Sequence, residues 1–496
     1  MSLETTLPLL VLFSSLLPGI AIFFLPERRH GTRTTLNIAA ACTKLLLTAV
    51  MVRGVYAGRR YETRLPFIAE ADLLLRADTF SLLFVTLSAV LWLATTVYAV
   101  GYLEGSPHRS RFFGFFSLCV ASTMGIALAG NLVTFFVFYE MLTLSTYPLV
   151  VHRGTREALR AGDIYLRYTI GGGAVLFAGV ALVHSVAGPF EFTEGGALAA
   201  RGAEHRPALL AAFVLLVAGL SAKAAVFPLH RWLPEAMVAP APVSALLHAV
   251  AVVKAGAFGI TRVVYDVFGI RLAEDLGVMR PLAFVAAFTI LHGSLRALAQ
   301  KDLKRRLAYS TVSQISYIVL GVAVFGTLST IGGIVHLVHQ GLMKITLFFC
   351  AGNLAEELGL HKVDALRGVG RRMPLTMGAF TIGALGMMGV PPVAGWITKW
   401  YLGVGALEAG EPWVIFVLVL STLLNAAYFL PLVYDAWFAE PVSPWPAPRQ
   451  RAEVKLPLLV PTLATAALSL AAGVVAGAEL SPLGWARLIA AREFVR

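Results

Sequence analysis

The chain consists almost entirely of apolar stretches, each long enough to cross a lipid bilayer once. A membrane-spanning helix needs about 20 predominantly apolar residues, and about fourteen such stretches follow one another here. A mean hydropathy of +0.77 excludes an ordinary soluble globular protein. The sequence therefore predicts an all-α polytopic membrane protein with about fourteen spans, near 7–25, 35–52, 79–101, 112–130, 131–151, 163–187, 207–229, 240–265, 278–298, 307–326, 328–351, 373–399, 411–438 and 456–477.

Prolines interrupt two of these spans, the seventh and the twelfth. In the seventh, Lys223 is followed by several prolines, and in the twelfth Pro391 and Pro392 precede Lys399. Proline removes a backbone donor, and broken backbone persists at membrane depth only where it is buried in protein or lines a wet cavity. Matched interruptions in two halves are typical of repeats with ion sites at their centre.

We therefore predict broken helices in spans 7 and 12 and two repeats of five helices each. An odd number of spans per repeat requires the second repeat to be inverted relative to the first. The predicted units are N-terminal helices 1–3 in 1–111, a first repeat (helices 4–8) in 112–265, a second, inverted repeat (helices 9–13) in 278–438, and a C-terminal loop, helix 14 and tail in 439–496.

Five ionisable side chains lie inside these apolar stretches. An ionised group at the centre of a membrane helix costs about 2.5 to 3.5 kcal/mol on insertion scales, so such residues generally mark ion or proton pathways. The five are Glu140, Lys223, Lys254, Lys344 and Lys399. The pattern predicts a charge relay through the membrane, with Glu140 and Lys223 as partners.

Simpler interpretations remain open for three of these residues. Glu140 could be a buried carboxylate that orients two helices. Lys223 could extend to the membrane interface, because it lies near the end of its span. Lys399 could be an interfacial anchor, because Trp396 and Trp400 flank it. The interrupted backbone next to both lysines favours the relay.

Histidine residues add groups suited to carrying protons. His248 lies in the eighth span, and His336, His339, Gln340 and Lys344 fall within an arc of about 140° on a helix of the eleventh. Histidine titrates closest to neutral pH and exchanges protons at both ring nitrogens. For His248 a structural hydrogen-bonding role is equally open. A metal site in the eleventh span is disfavoured, because carboxylate and thiolate ligands are absent nearby.

The sequence contains no pattern for a cofactor or for catalytic chemistry of its own. It has no phosphate-binding glycine loop, no dinucleotide fingerprint and no HExxH motif. Its three cysteines are scattered singly, which predicts neither a disulfide nor an iron–sulfur cluster. Energy for transport must then come from a gradient or from a partner.

The net charge of +12 does not indicate a nucleic-acid partner, because the basic residues lie in short loops between apolar stretches. Loops after odd-numbered spans carry more Lys and Arg, by about two to one, which predicts both termini on the outer side of the cell membrane. Segment 53–78, with its five arginines, is the main exception. The first span follows an acidic lead without a small-residue cleavage site, so we expect it to be retained.

Several longer motifs carry a family resemblance. They are LRADTFSLLF, FFVFYEMLTLSTYPLV, AKAAVFPLHRWLPEAMVAPAPVSALLHAVAVVKAG, ALAQKDLKRRLAYSTVSQISYIVLG, HLVHQGLMKITLFF and GVPPVAGWITKW. With these motifs the chain resembles the antiporter-like, proton-conducting membrane subunits of respiratory complex I, membrane-bound hydrogenases and Mrp-type sodium/proton antiporters. The resemblance implies the fourteen-helix fold and assembly beside homologous and small membrane subunits. It also implies a path from Glu140 and Lys223 through Lys254 and Lys344 to Lys399.

Within this family, STLLNAAYFLPLVYDAWF and the length of the chain favour the branch of the Mrp D subunits. One alternative is a proton-pumping subunit of an NADH-quinone oxidoreductase or a hydrogenase. Another is a membrane scaffold for a bicarbonate-uptake or redox partner. Two residues depart from the family pattern, since Gln340 stands where members often have histidine and Lys44 has no family role that we can assign.

Overall fold

A computed structural model describes residues 2–68, 71–199, 205–441, 445 and 453–494. In this part of the chain, twelve helices are long and apolar enough to cross a membrane. A further helix, Leu303–Ala323, and the consecutive pair Pro374–Met388 and Gly395–Glu408 occupy the two remaining predicted positions. The predicted polytopic helical architecture is confirmed.

The twenty α-helices found among the described residues are named in chain order. They are α1 (Leu3–Phe23), α2 (His30–Tyr56), α3 (Thr79–Tyr102), α4 (Arg109–Ala127), α5 (Leu132–Val150), α6 (Arg156–Ala187), α7 (Arg206–Ala224), α8 (Trp232–Glu235), α9 (Ala241–Ala249), α10 (Val252–Arg262), α11 (Ile270–Asp275), α12 (Met279–Leu298), α13 (Leu303–Ala323), α14 (Thr327–Leu358), α15 (Val369–Arg372), α16 (Pro374–Met388), α17 (Gly395–Glu408), α18 (Trp413–Phe438), α19 (Leu456–Val474) and α20 (Pro482–Glu493).

Side-chain caps fix the starts of several helices that carry the site. Asn131 accepts a hydrogen bond from the backbone N–H of Thr134 at the start of α5, and Asp302 does the same for Arg305 at the start of α13. Such caps satisfy backbone donors that have no partner within the helix. They define where these spans begin at the membrane surface.

A two-stranded antiparallel sheet, β1 (Tyr61–Ile68) and β2 (Ala71–Ala77), lies between α2 and α3. The Thr63 hydroxyl donates to the backbone carbonyl of Thr5, which ties this hairpin to the start of α1. The hairpin was not predicted from the sequence. A search for apolar stretches of about 20 residues does not detect strands of seven or eight residues.

The predicted interruptions of spans 7 and 12 are present. Helix α7 ends just before Ala225, which has a left-handed φ of 55°, and α16 ends just before Gly389, which has a φ of 83°. The chain then passes through prolines before α8 and α17 begin. These breaks place free backbone carbonyl groups inside the protein.

Span 8 is also interrupted, between α9 and α10, and it ends in a π-helical turn, Val263–Phe268. No proline lies at 250–251, so the sequence carries no strong signal for this break. Together with α14, these helices form the centre of the fold, because the most apolar 18-residue windows of Ala241–Phe268 and of α14 are wholly buried. The corresponding window of α2 is only 33% buried.

Candidate functional site

The first polar centre joins α5 and α7. The Lys223 ammonium group is fully buried, donates a hydrogen bond to the backbone carbonyl of Tyr139 and lies 3.4 Å from the centroid of the Tyr139 ring. The Tyr139 hydroxyl in turn donates to the Gly219 carbonyl at 3.0 Å. Lys223 therefore points into the protein and does not extend to the membrane interface.

Glu140 is adjacent to this centre but does not form a direct ion pair with Lys223 among the described residues. Its side chain is half-buried, and Oε1 has no hydrogen-bond partner. The carboxylate occupies the space beside Gly173 of α6, where a Cβ atom would collide with it. Leu144, one turn along α5, is 65% exposed. Glu140 thus lies between the buried lysine and the outer apolar surface of the chain.

The second polar centre joins α10 to the central helix α14. The Lys254 ammonium group is fully buried and donates to the backbone carbonyl of Leu337 at 2.6 Å. His248, on the other side of the break in span 8, stacks on Phe348 with ring centroids 4.4 Å apart. Neither ring nitrogen of His248 has a hydrogen-bond partner. The break therefore places two titratable groups against α14.

The two histidines of α14 converge on one hydroxyl group of α17. Nδ1 of His336 and Nδ1 of His339 each lie 3.2 Å from Oγ1 of Thr398. The other ring nitrogen of each histidine has no partner, and the same is true of both amide atoms of Gln340. The arc predicted from the sequence is thus an internal polar surface. Thr398, which contacts both histidines, directly precedes Lys399 in α17.

Lys399 bonds across the break in span 12. Its ammonium group donates to the backbone carbonyl of Met388 at 2.6 Å and to the Thr422 hydroxyl at 2.7 Å. Met388 is the last residue of α16, so its carbonyl is one that the break leaves without a helical partner. This inward bonding does not support an interfacial anchor, although the neighbouring Trp400 is 61% exposed.

Lys344 belongs to a separate hydrogen-bonded branch. Its ammonium group donates to the Ser310 hydroxyl at 2.7 Å, and the Tyr428 hydroxyl donates to the same oxygen at 2.9 Å. Tyr428 also contacts Asn425 Oδ1 at 2.5 Å, and the Asn425 amide donates to the Met387 carbonyl at 3.2 Å. This branch ends one residue from the carbonyl that holds Lys399. Both branches therefore meet at the break in span 12.

Lys44 and Arg262 are buried cations that lie outside these centres. Lys44 of α2 is fully buried, donates to the Ser15 hydroxyl at 2.6 Å and lies 4.7 Å from the Trp92 ring. Arg262 at the end of α10 was not predicted, and it pairs with Asp78 at 2.6 Å and with Asp266 at 3.0 Å. The four-residue spacing of Arg262 and Asp266 is the sequence signal that would have indicated this ion pair.

In the part of the chain that the structure describes, no three His, Cys, Asp or Glu side chains are grouped so that they could hold a metal ion. The polar side chains of the site are lysines, histidines, hydroxyl groups, the amides of Gln340 and Asn425, and the carboxylate of Glu140. Such groups are able to donate and accept protons, and the backbone carbonyls freed by the breaks add further acceptors.

Comparison with known proteins agrees with this arrangement. Residues 129–425 match the family model described as NADH:quinone oxidoreductase/Mrp antiporter, TM. The chain is 39% identical to NADH-quinone oxidoreductase subunit N of Desulforudis audaxviator, over 76% of this chain and 77% of the relative. It is 28% identical to the D subunit of the Na(+)/H(+) antiporter of Bacillus subtilis, over 88% and 87% of the two chains. Other, longer relatives are matched over only about half of their length.

Among solved structures, a chain of the Mrp complex from Dietzia sp. DQ12-45-1b superposes with a TM-score of 0.85 and 25% identity, covering 99% of this chain and 100% of that one. Fold and polar centres together define a polytopic membrane protein of the antiporter-like class. The chain belongs to the NADH:quinone oxidoreductase/Mrp antiporter transmembrane family. The resemblance inferred from the motifs is confirmed, and these relatives are subunits of multisubunit complexes.

Proposed function

We propose that this chain is a proton-translocating membrane subunit of a multisubunit complex, with the role of the D subunit in an Mrp-type sodium/proton antiporter. One observation carries the proposal. Within otherwise apolar spans, the ammonium groups of four lysines are hydrogen-bonded only to neutral oxygen atoms. They form a series from α5 and α7 to α18, and the lysines are Lys223, Lys254, Lys344 and Lys399. Buried cations of this kind are costly and are characteristic of ion pathways.

In this proposal, a proton from the cytoplasmic side reaches Glu140, and the charge of Glu140 controls how strongly Lys223 holds its own proton. Lys254 receives the proton next and passes it to α14, where His336 and His339 share Thr398. The path ends at the break in span 12, where Lys399 lies and where the branch from Lys344 arrives. Water bridges the gaps that the side chains do not close.

The surroundings of the protein follow from the same proposal. Thr63 bonds Thr5, and Glu493 of α20 accepts from the backbone N–H of Gly195 at 3.1 Å, so both terminal regions lie at the hairpin end of the molecule. We assign this end to the outer side of a bacterial plasma or inner membrane, following the loop charges. The partners are homologous antiporter-like subunits and small membrane subunits, with protons and sodium as the transported ions.

A second candidate function is a proton-pumping subunit of an NADH-quinone oxidoreductase. The identity of 39% to the oxidoreductase relative, higher than the 28% to the antiporter relative, favours this candidate. The same residues would then move protons, but redox chemistry in partner subunits would drive them. A membrane scaffold is the remaining alternative, and it requires no proton movement through Glu140.

The test measures proton flux in inverted vesicles that contain the whole complex. Wild type is compared with Glu140→Gln and with a control, Glu104→Gln, which removes only a surface ion pair with Lys455. Loss of sodium-dependent flux in Glu140→Gln alone, with assembly intact, supports the antiporter. Loss of NADH-dependent flux supports the oxidoreductase subunit. Unchanged flux with both drivers contradicts the relay and supports the scaffold.

A further inference from the structure

One face of α6 is polar at its N-terminal end and apolar farther along. Arg160, Asp163 and Arg167 lie on this face, and Ile170 and Phe177 continue it at helical spacing. Ile170 is 50% exposed and Phe177 is 56% exposed. The face therefore combines cationic groups with an adjoining apolar stripe on the outside of the chain.

The cationic end of this face borders a cavity of about 290 Å³, which we call the arginine cavity; it is lined by Arg160, Asp163, Ile164, Arg167, Tyr168 and Arg231. Arg231 comes from the interrupted part of span 7, immediately before α8. Three arginines and one aspartate give the lining a net charge of +2. Among the described residues, none of the three arginines has an ion pair or a hydrogen bond from its side chain.

A neighbouring cavity of about 360 Å³ differs in this respect. It shares Arg160 and Arg231 with the arginine cavity, but it also contains Glu157, Glu235 and Arg305. There Arg305 pairs with Glu235 at 3.1 Å. The unbalanced positive charge is thus concentrated in the arginine cavity.

The height of the arginine cavity along α6 indicates which anion it accepts. At about 1.5 Å per residue, the 32 residues of α6 span about 48 Å, well beyond the roughly 30 Å of a bilayer core. Arg160 precedes the predicted span 163–187 and Arg167 lies one turn inside it, so their long side chains can reach the level of the lipid headgroups. The exposed apolar stripe continues from there toward the middle of the predicted span. Guanidinium groups bind phosphate through paired N–H donors. We infer that the arginine cavity binds the phosphate of an anionic phospholipid, whose acyl chains lie along Ile170 and Phe177.

Such a lipid would hold the interrupted part of span 7 against α6. Trp232, the neighbour of Arg231, donates from its indole nitrogen to the Ala222 carbonyl at 2.7 Å and packs its ring edge-on against Tyr165 of α6. Ala222 directly precedes Lys223. A headgroup that contacts arginines of both elements would therefore stabilise the segment that positions this lysine.

The test measures lipid binding and does not depend on the proposed transport function. The purified complex is titrated with phosphatidylglycerol, with phosphatidylcholine and with inorganic phosphate, and bound lipid is followed by native mass spectrometry and thermal stabilisation. The variant combines Arg160→Gln, Arg167→Gln and Arg231→Gln. The control combines Arg28→Gln, Arg29→Gln and Arg367→Gln, which removes the same charge from exposed loops on the same side of the membrane.

We expect wild type to prefer phosphatidylglycerol to phosphatidylcholine. Because a basic side chain at an anionic membrane surface contributes about fivefold in affinity, the triple variant should bind phosphatidylglycerol about a hundredfold more weakly. The control should bind like wild type. The inference is overturned if the control loses as much affinity, if the two lipids bind equally, or if inorganic phosphate alone stabilises the complex to the same extent. Binding by the separate chain but not by the assembled complex would also overturn it, since a neighbouring subunit would then cover the cavity.

Discussion

In the first half of the chain Lys223 lies next to a carboxylate, Glu140, whereas in the second half Lys344 and Lys399 have only neutral partners. The oxygen atoms around these two lysines belong to Ser310, to Thr422 and to a backbone carbonyl. Glu140 is also half-buried near the outer surface, while Lys344 is fully enclosed. The two halves share broken helices and buried lysines, and Lys254 of the first half bonds only a neutral oxygen, as Lys344 does. Among the described residues, however, only the first half has a carboxylate beside one of these lysines.

This difference assigns the halves different electrostatic tasks. A charge in a low-dielectric interior is expensive unless an opposite charge or good hydrogen bonds compensate it. Lys223 therefore has a nearby negative charge that stabilises its ammonium group, whereas Lys344 and Lys399 depend on hydrogen bonds alone. A membrane potential provides about 2.3 kcal/mol per elementary charge for each 100 mV, which is comparable to the energy needed to move a charge between such environments.

The largest effect is expected from Lys223→Met. Removal of the proton carrier nearest the carboxylate should reduce proton flux by about a hundredfold, the scale on which a positioned proton-transfer group acts. Lys44→Met is the matched control, because Lys44 is equally buried but bonds only Ser15 in the N-terminal helices. Flux in vesicles is the measurement. Equal losses of flux in both variants would mean that replacing any buried lysine reduces transport. The carboxylate beside Lys223 would then not explain the effect.

Lys344→Met should separate transport from stability. We expect flux to fall strongly, while the free energy of unfolding stays the same or rises by up to about 4 kcal/mol, because a buried charge without a counter-charge is replaced by an apolar group of similar size. Ser310 keeps Tyr428 as its partner in this variant. Thermal unfolding of the purified complex provides the check. A clear loss of stability would mean that neutral partners compensate the charge of Lys344 fully, which would remove the contrast between the halves.

A carboxylate outside the spans tests the same electrostatics by pH. Burial, reinforced by nearby Asp266, raises the pKa of Glu493 from its ordinary value of 4.5 to about 9. Between these values the unfolded chain has lost a proton that the folded chain keeps, so stability should fall as pH rises from about 4.5 to about 9. Glu493→Gln should flatten the dependence of the unfolding temperature on pH. The exposed Glu408→Gln should leave it unchanged, and a similar flattening there would refute the assignment.

The smallest effects are expected from the neutral partners. Thr422→Val removes one of the two hydrogen bonds of Lys399, and a hydrogen bond contributes about 0.5 to 1.5 kcal/mol net, so flux should change by about fivefold. Thr422→Ser keeps the hydroxyl group and should restore most of the wild-type flux. If valine and serine behave alike, the hydroxyl group has no part in holding the lysine.

The spans, the two proline interruptions and the five ionisable residues inside the apolar stretches could be predicted, because apolar length and proline are local properties of the sequence, whereas the buried Arg262 was missed. The contacts between those charges could not. Thr398 contacts both His336 and His339 because α17 packs on α14. Lys223 donates its hydrogen bond to the Tyr139 carbonyl and forms no direct ion pair with Glu140 among the described residues. The break between α9 and α10 has no proline to reveal it. The repeat boundaries and the relay roles of the individual residues stay predictions.

The enclosure of residues 329–354, the central part of α14, has a mechanical consequence. A helix that meets other helices on every side and the bilayer on none cannot tilt or turn without displacing its neighbours, so its histidines and Lys344 are held in fixed positions. The interruptions in spans 7 and 12 are less enclosed, because Phe227 and Pro391 reach the surface there, whereas the interruption in span 8 is as buried as α14. Lys223 lies two residues before Ala225, where α7 ends, and Lys399 lies in the second turn of α17, after the interruption of span 12. If parts of this molecule move relative to the central helix, the interruptions in spans 7 and 12 are where we expect the hinges.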